Sequence, residues 1–223
     1  MTHEHPVPST DRDSMLITCP ANAPSWADEG PVPVGLPGEI AHRRLLGLRD
    51  DETYIRDLHT RQDKGVGDWS ETWGFLMTVD EERSIWRLQE QLSGVAAIAE
   101  EYLDRLPGDR AGGVRLDSAR GAVVVQVTRD ADRVRAELQE EVGDVALIVM
   151  ETVRFSKDEL KLIAGRIQRL EGLGVTSIGA GGGNGRVEVT VSGDPAEARL
   201  LIEEVADPCS FSVTHGVAIA LAR

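Results

Sequence analysis

Phe, Trp and Tyr make up only 4% of this 223-residue chain, and cysteine occurs twice, at Cys19 and Cys209. Two thiols are too few for a disulfide framework and lack the paired spacing of a zinc site, so two free cysteines are expected. Basic charge is also scarce: 24 Lys and Arg face 38 Asp and Glu, a net charge of −14. That field repels phosphate backbones, and the arginines are scattered rather than gathered into a patch, so nucleic acid is not an expected partner. No apolar run reaches the roughly 18 to 20 residues that cross a bilayer. The start, MTHEHPVPSTDRDS, has neither the basic n-region nor the apolar h-region of a signal peptide. LITC, ending at Cys19, has the shape of a lipobox without the apolar segment such a motif needs. The expectation is a cytoplasmic protein away from membranes, exported only if a signal lies upstream of this sequence.

What is present is strongly patterned in the second half. Residues 1–39 hold seven of the ten prolines and no sustained period, the mark of an extended arm. A helical lobe is expected over 40–107. Within it, Ile40, Leu45, Leu48, Ile55 and Leu58 point to one or two short amphipathic helices. DKGVGDWSETWGF then breaks the period. Thr78 and Glu81 form a capping box that starts a helix running from Val79 to about Leu106, stopped by Pro107 and Gly108.

From there GGVRLD and AVVVQV read as a β-hairpin with Val123, Val125 and Val127 on one face. Asp130 opens a helix with Val134, Leu138 and Val142 on one stripe, and VALIVMETV returns as a strand. Ser156 and Glu159 make a second capping box ahead of KDELKLIAGRIQRL. The order then repeats. AVVVQVTRDADRVRAELQEEVGDVALIVMETV and RVEVTVSGDPAEARLLIEEVADPCSFSVTHGV align without a gap, 64 residues apart. Val123, Val125 and Val127 meet Val187, Val189 and Val191, Asp130 meets Asp194, and Val149 meets Val213. Pro195 takes the first helical position, where its missing N–H costs nothing. The expected class is α+β: two duplicated ββαβ units (108–156 and 175–223, joined by a helix at 157–174), with antiparallel or mixed sheets and helices on one side, preceded by the helical lobe.

The glycine-rich GAGGGNGRVEV at 179–189 looks at first like a phosphate cradle. A dinucleotide fingerprint needs glycine at the sixth position and a helix after it, whereas Asn184 and a strand stand there. Asn184-Gly185 is instead the favoured pair of a type I′ hairpin turn, with DSARG as its counterpart, three residues shorter, in the first unit. No cofactor is expected.

GGVRLDSARGAVVVQVT, the FSKDELKLIAGRIQRL helix and GVTSIGAGGGNGRVEVTV together are similar to the pro-regions of secreted bacterial serine proteases of the α-lytic protease and streptogrisin type, and LMTVDEERSIWRLQEQL looks like their helical lobe. The resemblance covers roughly residues 73–217. It implies a module that folds or inhibits a protease, with its C-terminal end lying in the protease active site like a product. Val217, Ala218, Ile219, Ala220, Leu221, Ala222 and Arg223 are then the partner-binding segment. The sequence has no Gly-Asp-Ser-Gly nucleophile segment of the protease itself.

Residue chemistry points away from catalysis and metals. Cys209 and His215 are the one thinkable nucleophile and base, but no third group orients them, and His215 aligns with Glu151 at an exposed strand end. His3-Glu4-His5 sits in the arm, where nothing preorganises ligands. Glu140-Glu141 and Glu203-Glu204 fall at matching places on the repeat helices and read as solvated faces. Trp69, Trp73, Phe75 and Trp86 gather in eighteen residues, either as anchors for a partner or as rings pinning the long helix to the sheet. Three functions are consistent with this: a non-catalytic protein-binding module whose partner is another protein, such as a serine protease; a ligand binder or enzyme using a cleft between the helical lobe and the sheet; and a structural or oligomerisation protein.

Overall fold

A computed structural model describes residues 35–61, 68–143, 147–180 and 184–216. The first part is a lobe of two short helices, α1 (Leu36–Leu45) and α2 (Glu52–Arg61), and a hairpin, β1 (Asp68–Ser70) and β2 (Phe75–Met77). Helix α1 starts four residues before the expected Ile40, with proline in its first turn. The apolar stripe expected there holds for α2, which buries Ile55 and Leu58, but fails for α1. Helix α1 buries Gly38, Glu39 and Arg43 instead, while Leu45 is half exposed. A buried charged face survives only where each charge finds partners, and Arg43 finds several. Its guanidinium donates to the carbonyls of Arg49 (2.6 Å) and Leu76 (2.9 Å) and to the Glu81 carboxylate, and it lies over the rings of Tyr54 and Phe75. Glu81 also closes the capping box with Thr78 and accepts from the Tyr54 hydroxyl at 3.0 Å. One ion pair thus joins α1, the hairpin and the start of α3 (Val79–Asp104). The hairpin itself, where only a break in period was expected, pairs Trp69 with Leu76 and Ser70 with Phe75.

Two three-stranded sheets follow. The first has the order β3 (Ala111–Asp117), β4 (Ala122–Val127), β5 (Ile148–Thr152), with α4 (Ala131–Val142) between β4 and β5. The second has β6 (Val175–Ala180), β7 (Val187–Val191) and β8 (Phe211–His215), with α6 (Pro195–Glu203) between β7 and β8. In each, the first pair is antiparallel and the second parallel, so both sheets are mixed. Val123, Val125 and Val127 pack on Leu92, Ala99 and Leu103 of α3 and on Val134 and Leu138 of α4. Val187, Val189 and Val191 pack on Leu160, Ile163 and Ile167 of α5 (Lys157–Ile167) and on Ala198 and Ile202 of α6. The helices of each unit therefore share one core with the same valine face. Both capping boxes form as expected, each with reciprocal bonds.

The duplication reaches further than the aligned strands, because the 64-residue offset also places Ala99 on Ile163 and Leu103 on Ile167 in equivalent cores. Both units have the expected ββαβ order, and each is preceded by a helix that packs on its core, α3 in the first and α5 in the second. The same offset carries over a β-bulge, between Ala111 and Gly113 in one hairpin and between Val175 and Ser177 in the other. The two hairpins keep the same register toward their turns, since Leu116 pairs with Val123 and Ala180 with Val187. Two details of the expected repeat change. The Asn184-Gly185 turn is not type I′: Gly185 has φ 63°, matching Gly121 at φ 60°, but the sole non-glycine residue with positive φ among those described is Asp130. The third strand slips by one residue, as Val123 pairs with Ile148 and Val187 with Phe211. Val149 is therefore equivalent to Ser212, not Val213, and Glu151 to Thr214, not His215.

Candidate functional site

The lobe encloses a cleft of about 710 Å³, within the range of small-ligand pockets. Helix α1 supplies Leu36, Glu39 and His42, α2 supplies Arg56, His59 and Thr60, and the hairpin supplies Trp69 and Phe75. The Arg43 ion pair holds α1 against the hairpin and the start of α3, and one turn earlier on the same helix face Glu39 meets His59 of α2 beside the cleft. Its floor is apolar, with His42 stacked on Phe75 at a centroid distance of 6.3 Å and 19° between ring planes. Its polar core is Glu39, 8% exposed, whose Oε2 meets His59 Nε2 at 2.8 Å. The other carboxylate oxygen, Oε1, is buried without a hydrogen-bond partner. A carboxylate removed from water with half its acceptor capacity unfilled costs folding free energy.

A carboxylate beside an imidazole is the orienting half of a nucleophilic triad, but among the described residues the cleft lining contains neither serine nor cysteine. Thr60 donates its hydroxyl to the Arg56 carbonyl at 2.8 Å, a bond within its own helix. The arrangement suits binding: a flat ring surface, a buried anion and an imidazole able to donate or accept.

Trp69 and Trp73, candidate anchors for a partner or pins for the long helix, separate. Trp69 is 57% exposed and lines the cleft. Trp73 packs with Leu46, Leu48 and the Phe75, Met77 and Ile85 cluster and tilts against Trp86 at 6.1 Å, pinning the hairpin to α3. Residues 217–223, the expected partner-binding tail, lie outside the described residues, as does His3-Glu4-His5. Cys209 is disulfide-bonded rather than the free thiol expected, and the chain's other cysteine, Cys19, lies outside the described residues. As a nucleophile with His215, Cys209 fails on geometry too: the strand from Phe211 to His215 alone spans about 13 Å. His215 sits exposed at the strand end, 3.1 Å from the Gly193 carbonyl, whereas Glu151 is held by Arg115 (2.8 Å) and Gln126 (3.0 Å). Glu140, Glu141, Glu203 and Glu204 are all exposed, as expected of a solvated face. Among the described residues no group of His, Cys, Asp and Glu could hold a metal, and no helix is long and apolar enough to cross a membrane.

Reasoning from sequence passed over Glu39, His42 and His59. Their identities are ordinary, and only the folding of α1 against α2 brings Glu39 to His59, twenty residues away. Scans against protein-family models, curated proteins and solved structures find no match to this chain.

Proposed function

We propose that the chain is a non-catalytic protein-binding module, chaperone-like or inhibitor-like in the manner of the protease pro-regions whose motifs it resembles. The observation that supports this is Trp69: a large ring left half in water at the mouth of an apolar cleft, while its neighbour Trp73 is packed away. Exposed aromatic rings beside a pocket are the usual anchors of a binding hot spot. The net charge of −14 favours a partner with a basic surface.

The test is an inhibition and binding assay of the full chain against a chymotrypsin-like bacterial serine protease. Micromolar or tighter inhibition is expected, weakened by about tenfold or more in Trp69→Ala, the loss of a tryptophan hot spot, and abolished when residues 217–223 are removed. A chain that neither binds nor inhibits such a protease overturns the protease as partner. A second reading, a small-ligand binder, is favoured by the enclosed volume of the same cleft.

A further inference from the structure

We infer that the lobe cleft carries a cation subsite at Glu39, which takes an ammonium or guanidinium group borne on an apolar or aromatic body. This rests on the reading of the cleft as a binding surface, though not on the partner being a protein.

The first observation is the unfilled acceptor. Glu39 is more than nine-tenths buried, uses Oε2 on His59, and leaves Oε1 with nothing to accept from. Buried polar atoms in native folds nearly always have partners, and an orphaned carboxylate oxygen lining a cavity marks a donor that arrives from outside. A cation fits this better than a neutral donor, because charge-assisted bonds are about twice as strong as neutral ones and gain further in a low-dielectric site. The second observation is the wall opposite. Trp69, exposed at the rim, offers a ring face that attracts both a cation and an apolar body, while Phe75, buried beneath His42, adds apolar surface. Arg43, the one cation already beside Phe75, is committed to Glu81 and to two backbone carbonyls, so it does not reach across to Glu39 in its place. The third is size: a cleft of about 710 Å³ has room for a phenylalkyl group with its ammonium, and more than a bare inorganic ion requires.

The same chemistry occurs in a free aromatic amine and in a Lys or Arg side chain beside an aromatic residue of a polypeptide. Calorimetric titration of the full chain with phenethylammonium, with its neutral isostere 2-phenylethanol, and with the capped peptide acetyl-Gly-Phe-Lys-amide separates these. Phenethylammonium is expected to bind at least about tenfold more tightly than the alcohol, one charge-assisted hydrogen bond's worth, and Glu39→Gln is expected to remove that preference. Peptide binding tighter than the free amine assigns the subsite to a polypeptide, and the reverse to a small molecule. Thermal melting of Glu39→Gln shows whether that variant is folded. If it is not, Trp69→Ala, altered only at the exposed rim, must weaken all the cleft's ligands yet leave the share of the cation preference that Glu39 supplies, and complete loss of that preference overturns the subsite. Equal binding of amine and alcohol, or binding of neither amine nor peptide, overturns the cation subsite. Failure to inhibit a protease while phenethylammonium still binds overturns only the protein partner.

Discussion

Arg43 has no contact with water, and its single guanidinium serves two carbonyls and the Glu81 carboxylate, with two rings on its faces. Removing it strands Glu81, which is itself mostly buried, so Arg43→Met is expected to cost about 3 to 5 kcal/mol, the usual penalty for breaking a buried pair from one side. Arg43→Lys should recover little of it, because one ammonium cannot reproduce the planar fork. Denaturant unfolding of both variants is the check. Tyr102 is the second consequential residue. Its hydroxyl donates to the Glu137 carboxylate, and burial, then that carboxylate, push its ionisation up to about 12. The folded value lies above the ordinary tyrosine value near 10, so the contribution to stability is complete below pH 10 and is lost as pH rises toward 12. Absorbance titration in a Tyr54→Phe background, which leaves one tyrosine, should show the late ionisation. Tyr102→Phe should cost about 1.5 kcal/mol at neutral pH, the usual worth of a hydrogen bond to a charged group, and should flatten the alkaline limb of the stability curve.

Elements repeat between the two units, yet equivalent positions do different work. Asp194 caps α6, accepting from the Ala196 amide at 2.8 Å, while Asp130 at the same place in α4 takes φ 59°, makes no cap bond and pairs with Arg110 at 2.9 Å. The bulges differ more. A Cβ on Gly112 would stand 2.6 Å from Val153 Cγ2 and 2.9 Å from the Gln126 carbonyl oxygen, whereas the equivalent Thr176 is exposed. Gly112→Ala is therefore expected to destabilise by about 1 to 3 kcal/mol through overpacking, and Thr176→Gly by less than 1 kcal/mol. The comparison of the two midpoints in urea decides it. The capping boxes are alike in both units, and Ser156→Ala, at a fully buried hydroxyl, should cost about 1 kcal/mol and speed amide exchange in the first turn of α5.

At the scale of the molecule, the described residues form two separate sheet cores and a third, smaller cluster in the lobe. No core residue is shared between the sheets, so local unfolding should follow the units. Leu138→Ala, expected to cost about 2 to 5 kcal/mol, should lower hydrogen-exchange protection across β4 and β5 while β7 keeps its own; Ile202→Ala should do the converse. Loss of protection in both sheets from either change would show that they open as one.

The periodicity of valines, the capping boxes and the 64-residue repeat specified the two ββαβ units and the helices before them, because these features act through local geometry and a sheet face that must be covered. The slip in the third strand was hidden, since register depends on which backbone groups meet across strands and not on the order of side chains along one. The cleft was hidden for a related reason. Helix α1 buries Glu39 and Arg43 and leaves Leu45 half in water, the opposite of what hydrophobicity alone dictates. That inversion is stable only because distant residues complete it: Glu81, 38 positions from Arg43, and His59, twenty from Glu39. Composition and period decide which segments are helix or strand; only the tertiary structure decides that two charges of one helix face inward, because only it brings Glu81 to Arg43 and His59 to Glu39.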